Sequence, residues 1–304
     1  MSLRPILLAI VGDSAAGKST LGAGIAALLG EARVTVVTTD DYHKHNRKAR
    51  RALRISALHP DCNDLDLLDE HLDELAHGRP VEKAPYNHST GDFDPPRIVK
   101  PSEFLIVEGL LGLHTPSLRA HYDVSVYLDT PEPLRHRWKV ARDTAKRGYS
   151  ETQVHELLER RESVSEKYIR PQREHADMVV RFHPDSDLTD YEHLNATVTM
   201  RPTLDQPDLH AVIESCPRAA SALRLTRDRD SEALEIDGRI SAEQAAEVEQ
   251  ELWSRRPELE RLLMARTGNF TENGTTRHSH ALAIAQLLLT YPVLRAKLTK
   301  ERAG

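Results

Sequence analysis

The stretch VGDSAAGKST, from Val11 to Thr20, constrains this chain more than any other. Gly12 and Gly17 bracket four residues ahead of Lys18 and Ser19, completing the pattern G-x-x-x-x-G-K-[ST]. Glycines at this spacing let the loop wrap so that its backbone N–H groups converge on a polyphosphate. Gly12, Asp13, Ser14, Ala15, Ala16, Gly17, Lys18, Ser19 and Thr20 are therefore the expected nucleotide-binding residues. Lys18 brings a point charge to the β- and γ-phosphates, and the Ser19 hydroxyl is a ligand for Mg²⁺. The apolar run Ile6 to Val11 feeds the loop as a buried strand, and STLGAGIAALLG continues it with helical periodicity. The loop thus sits at a helix N-terminus, where anions are favoured.

A length of 304 residues suffices for one large domain or a domain with an appendage. Charged residues make up 29% and the net charge is −6, which argues against a nucleic-acid binder relying on bulk positive charge. The two cysteines, Cys62 and Cys216, lie far apart and form no disulfide framework or zinc spacing, so a reducing cytoplasm is the expected compartment. The first apolar run leads straight into the loop and reads as a strand, and no other apolar stretch is expected to reach membrane-spanning length. The N-x-T triplets at Asn195, Asn269 and Asn273 accordingly carry no glycosylation meaning.

Apolar runs recur between helical segments in the rhythm of a parallel sheet. ARVTVVTT, FLIVEG (Phe104 to Gly109), YDVSVYLD (Tyr122 to Asp129) and ADMVVRFHP (Ala176 to Pro184) follow the first strand. Functional residues in such sheets gather at the carboxyl ends of strands. The second strand runs into DDYHKHNRKARR, where Asp40 is placed to accept the proton of an attacking hydroxyl. The cations behind it, Lys44, Arg47, Lys48, Arg50 and Arg51, suit an acceptor that already carries a phosphate. Glu108 closes the third strand and is placed to hold Mg²⁺ directly or through water.

After the fourth strand, Lys139, Arg142, Asp143 and Arg147 recur at i, i+3, i+4 and i+8, on one helical face. That face reads either as an exposed ion-pair ladder or as a lid that closes over two phosphorylated ligands. DTAKRGYSETQVHELLERRE is expected to continue as a polar helical segment until YIRPQ (Tyr168 to Gln172) breaks it.

GDSAAGKST, TTDDYHKHNRKARR, APYNHSTGDFDPP, IVEGL, WKVARDTAKRGYS and RR…YIRPQ…AD, spread over roughly the first 185 residues, resemble the phosphoribulokinase/uridine kinase family. The resemblance implies a five-stranded, mainly parallel α/β P-loop kinase core that uses ATP and Mg²⁺. It implies phosphorylation of ribulose 5-phosphate at its 1-hydroxyl, giving ribulose 1,5-bisphosphate. Carried over by position, Asp40 matches the catalytic base and Glu108 the second essential acid. His43 and Arg47 match contacts to the sugar phosphate, joined by Arg50. Lys139, Arg142, Asp143 and Arg147 match the lid, and Tyr86 and His88 a sugar-side loop of the plant-and-cyanobacterial branch.

Three departures stand beside the match. EGLLGLH places Leu111 where the family carries histidine, and His114 follows later. HPDCND resembles a segment of the nucleoside kinases whose last acid contacts ribose hydroxyls, so Asp64 either meets a sugar or caps the helix LDLLDEHLDELA. Ala15, Ala16, Thr38 and Thr39 leave no cysteine where light-regulated members carry a thiol switch.

Residues 1–187 read as the kinase domain and 188–304 as a smaller α+β region. HLNATVTMRPT, LRLTRD and EALEIDGRI read as strands, and Ser241 and Gln244 stand in capping-box spacing ahead of a helix. HALAIAQLLLTYPVL is an apolar helix before a charged tail, and His278 and His280 near its start read as surface or helix-start residues. The region loosely resembles interface strands of the family, which makes a homodimer the expectation, with a small sugar phosphate as partner and neither nucleic acid nor membrane. Two other readings stay open: a related kinase acting on uridine, another nucleoside or a different sugar phosphate, and a non-catalytic ATP-binding regulatory module.

Overall fold

The computed structural model describes residues 4–185, 193–254, 267–272 and 274–303, which fall into two compact units. The first comprises the chain up to Lys18, Ala32–Leu128 and Glu132–Ala176; the second comprises Ser19–Glu31, Asp129–Pro131 and the residues from Asp177 onward. The boundary expected between 187 and 188 lies outside the described residues, as does Asn273. Cys62 and Cys216 are both buried and free.

β1 (Ile6–Gly12) leads through the phosphate loop into α1 (Lys18–Leu29), and β2 (Val34–Thr38) ends in a 3₁₀ turn at Thr39–Tyr42. α2 (Arg47–Leu53) and α3 (Leu65–Ala76) follow, then four short strands, β3 (Val81–Lys83), β4 (Tyr86–Asn87), β5 (Asp92–Phe93) and β6 (Arg97–Val99). β7 (Phe104–Gly109), α4 (Pro116–Ala120), β8 (Val124–Leu128), α5 (Glu132–Arg147) and α6 (Glu151–Tyr168) complete the first unit. Every residue of β1 and β8 is buried, as expected for parallel strands covered on both faces. The first unit's long strands run in the order β8-β1-β7-β2, all parallel. Leu68, Leu72 and Leu75 of α3 pack with Leu7, Val37, Leu105 and Val107 of the sheet in one apolar cluster.

Register decides what meets at the sheet's carboxyl edge. Val11 lies opposite Gly109, Gly12 opposite Leu128, and Thr38 opposite Glu108. The start of the phosphate loop, the third-strand acid and the turn carrying Asp40 therefore share one edge.

α5 and α6 are two helices where one polar segment was expected. Gly148, at φ 70°, adopts the left-handed conformation that stops α5. Ser150 then opens α6 with a capping box: its hydroxyl accepts from Gln153 N–H and the Gln153 side chain accepts from Ser150 N–H.

In the second unit, β9 (Met178–His183) pairs antiparallel with β10 (Asn195–Met200). After α7 (Leu209–Ser215), β11 (Leu223–Arg227) and β12 (Glu232–Ile236) extend that pairing, β12 lying between β10 and β11. Ser241 and Gln244 cap α8 (Ala242–Ser254) reciprocally. The hairpin of β13 (Asn269–Glu272) and β14 (Thr275–His278) precedes α9 (His280–Ala303), which runs through Pro292 and includes the charged tail.

α9 corrects the expectation about apolar length. From His280 to Arg302 it is long and apolar enough to cross a membrane by length and composition, with mean hydropathy 1.3 over its apolar 18-residue window. Every residue from Ala281 to Leu294 is buried within the protein, which accounts for a helix apolar all round as a core helix. Its one buried amide, Gln286, accepts from Gly268 N–H at 2.8 Å and donates to the Thr20 carbonyl at 3.3 Å. Gly24 of α1 makes room for it, since a Cβ there would overlap the Gln286 amide. Gly24→Ala is expected to destabilise the protein by about 1–3 kcal/mol through overpacking, read from chemical denaturation midpoints.

Candidate active site

The phosphate loop is closed by its own lysine. Lys18 Nζ donates to the carbonyls of Gly12 at 2.9 Å and Asp13 at 2.8 Å. Burial lowers the lysine's pKa, while Asp40, Glu108 and Asp13 pull it back up and Arg142 adds to the lowering. Those four groups come from four separate stretches of sequence, so the loop lysine, both strand-end acids and a helix cation converge. Ser19 and Thr20 begin α1 directly after Lys18. Ala15 holds φ at 67°, a left-handed backbone that costs a side-chain-bearing residue strain.

The adjacent acids at the end of β2 have separate jobs. Asp41 is tied into the fold, accepting from Lys83 and, at 2.7 Å, from Tyr86 N–H. Asp40 faces two histidines, with His88 Nε2 at 3.2 Å and His43 Nε2 at 3.9 Å. Burial would raise its pKa, but the hydrogen bond from His88 and the charges of His43, His88 and Lys18 outweigh that and hold it far below the usual carboxylate range. Asn63 orients His43: its amide donates to the carbonyls of Ala57 and His59, so its oxygen accepts from His43 Nδ1 at 2.7 Å. His43 is buried, and burial lowers its pKa.

On the cationic side, Arg47 donates to the His88 carbonyl and lies over the Tyr149 ring, 5.7 Å from its centroid. Arg50 donates to the His45 carbonyl at 2.7 Å and to Tyr86 Oη at 2.5 Å. Arg47, Lys48, Arg51 and Arg147 line an open cavity of about 440 Å³ beside Tyr149. On α5, Lys139 Nζ and Arg142 Nε each donate to Asp143 at 2.8 Å, and Arg147 lies 3.5 Å from the same carboxylate. Asp143 is 1% exposed; burial works to raise its pKa, and the bonds from Arg142 and Lys139 overcome this and hold it at about 2. Burial, then the charge of Arg161, pushes Lys139 down to about 8. Arg142 Nη2 is buried and has no hydrogen-bond partner.

Asp64 accepts from Leu67 N–H at 3.2 Å and caps α3, the plainer of its two readings. Leu111 is buried in an apolar cluster with Leu58 and Ile169, while His114 lies edge-on to Tyr168. Arg161 of α6 is the residue that sequence reasoning passed over. Its electrostatic neighbours are Arg50, Asp40, Asp143 and Tyr149, and burial lowers its pKa. The paired arginines at 160 and 161 were the available signal.

The model of the phosphoribulokinase / uridine kinase family matches residues 7–189. The chain belongs to this family. It is 37% identical to the phosphoribulokinase of Synechocystis sp. over 189 residues, covering 62% of this chain and 57% of that protein. It is 32% identical to the chloroplastic phosphoribulokinase of Spinacia oleracea over 202 residues, 61% of this chain and 50% of that one. The chain thus spans about half the length of the curated relatives it matches. Among solved structures, phosphoribulokinase from Rhodobacter spheroides superposes with a TM-score of 0.61 at 19% identity, over 84% of this chain and 98% of that one, which shows a shared P-loop kinase fold.

Replacing Ala15 with glycine relieves the left-handed strain in the loop. Ala15→Gly is expected to raise unfolding stability by about 1 kcal/mol, seen as a higher denaturation midpoint at unchanged slope.

Proposed function

We propose that this chain is an ATP-dependent phosphotransferase whose acceptor is a phosphorylated pentose, ribulose 5-phosphate, with ribulose 1,5-bisphosphate as product. The observation that carries the reading is the convergence of Lys18, Asp40, Glu108 and Arg142 at one sheet edge, in a unit that also holds a cavity lined by four cations. A nucleoside acceptor has no use for that many positive charges, whereas a sugar phosphate does. The phosphoribulokinases among the relatives support the same choice.

ATP would draw Lys18 off the Gly12 and Asp13 carbonyls and onto its phosphates, the loop amides completing the cradle. The donor set suits Mg²⁺: two carboxylates, Asp40 and Glu108, act at the same lysine and offer the oxygen ligands this ion takes. Glu108 and the Ser19 hydroxyl would hold the ion, which neutralises phosphate charge when bound. Asp40 accepts the acceptor hydroxyl's proton as the new oxygen–phosphorus bond forms and the bond to the ADP oxygen breaks. Its low proton affinity makes it a weak base in the ground state. In a loose phosphoryl-transfer transition state the proton leaves late, so Asp40 first orients the hydroxyl and takes the proton only as charge develops. Arg142, held by Asp143 with one buried nitrogen still open, is aimed to stabilise the migrating charge. Arg47 and Arg147 bind the acceptor's phosphate, and His43, His88, Arg50 and Tyr86 shape the sugar side.

Acceptor-dependent ADP release tests the reading, with ribulose 5-phosphate set against uridine and other pentose phosphates. Stimulation by ribulose 5-phosphate well above the rest is expected; equal or greater stimulation by uridine, or none by any acceptor, would sink it. Asp40→Asn is expected to lower kcat by about two to four orders of magnitude, with ATP affinity retained. Because Lys139 loses its proton near pH 8 and thereby its hold on Asp143, kcat/KM is expected to fall as pH rises through about 8. That descending limb should be missing from the lower profile of Lys139→Met.

A further inference from the structure

A carboxylate is an awkward group in a loop built to receive a polyphosphate, because it would repel the ligand if it faced inward. Asp13 is 6% exposed and bonded elsewhere. Its Oδ1 accepts from Ser14 N–H at 2.8 Å, and its Oδ2 accepts from the hydroxyl of Ser165 on α6. Arg135 Nη1, on α5, lies 3.7 Å from that same Oδ2. Ser165 is 1% exposed and Arg135 5%. The chain of contacts continues: Arg135 Nη2 lies 3.4 Å from Glu162, and Glu162 also accepts from Arg170.

Asp13's main chain works in the opposite direction. Its carbonyl accepts from Lys18 Nζ at 2.8 Å and from Ala16 N–H at 3.2 Å. One residue therefore grips the loop's lysine and turn with its backbone, and the helix pair bearing Lys139, Arg142, Asp143 and Arg147 with its side chain. Breaking a buried pair of this kind leaves a group unsatisfied, so the loop and helices would no longer hold one mutual setting.

We propose that Asp13 is a positioning residue that fastens the phosphate loop to α5 and α6 through Ser165 and Arg135, so that one buried joint sets both the triphosphate cradle and the helix cations. The proposal rests on the reading that this loop binds ATP. Its consequence is specific: loosening the joint harms the handling of the donor nucleotide even before an acceptor is bound.

The test uses the full chain, with Mg·ATP binding followed by calorimetry in the absence of acceptor. Ser165→Ala and Asp13→Asn are each expected to weaken ATP binding by about tenfold or more, the size of effect that small misplacements of a site produce. Ser165→Thr, which keeps the hydroxyl, is expected to restore binding to within about threefold. The double variant is expected to be no weaker than Asp13→Asn alone, because both changes break one joint. In turnover, the KM for ATP rises by more than the KM for the acceptor. ATP affinity of folded Ser165→Ala within about twofold of the parent would overturn the proposal, as would additive losses in the double variant. Should Asp13→Asn fail to fold, the Ser165→Ala and Ser165→Thr pair decides alone. A parent protein that binds ATP but phosphorylates no acceptor would defeat the kinase reading and leave this comparison intact.

Discussion

The first unit is arranged around the difficulty of keeping a lysine ammonium at the carboxyl edge of a buried parallel sheet. Burial works against the charge of Lys18, and three carboxylates, Asp40, Glu108 and Asp13, work for it. Two of the three arrive by strand register alone: Glu108 ends β7 opposite Thr38, and Asp40 follows two residues beyond. An ion set of this kind is worth little to stability for its own sake, because desolvation consumes most of the Coulombic gain. On the reading proposed above, its value is a lysine kept charged while its hydrogen-bond partners are the Gly12 and Asp13 carbonyls, which a phosphate can replace. The same economy recurs on α5, where a single buried carboxylate, Asp143, holds three cations in place.

Much of this was legible in the residues. The loop pattern, the strand-end acids and the spacing of the α5 cations are local signals, and each is written in a short window. What stayed hidden depended on partners far away. Nothing local separates Asp40 from Asp41; Lys83 and Tyr86, some forty positions on, claim the second and leave the first to the histidines. Asp64 had two open readings because a cap and a sugar contact use the same carboxylate, and only the Leu67 amide reveals the cap. Arg161 hid in a charged block of ordinary appearance, and Asp13 hid inside a motif that already explained its position.

The pairing of the later strands was hidden for a different reason. MVVRFH has the apolar run of a core strand, and hydrophobicity reports burial, not direction. The direction in which a strand's next partner runs depends on the path of the chain in space, and β10 pairs antiparallel with β9. Among the described residues, the four long strands of the first unit run parallel, and β10, β12 and β11 follow β9 with antiparallel pairings in the second. α9 misled in the same way: its composition suits lipid, and its surroundings are protein.

Gln286 and Thr20 stand 266 positions apart, yet the amide of one rests on the carbonyl of the other. The helix that begins at the phosphate loop is therefore finished by a segment from the far side of the sequence. Closing so long a span before any contact rewards it is slow. A newly made chain could form α1 within microseconds and still lack, until residue 286 has been made and brought back, the buried neighbour that packs against it.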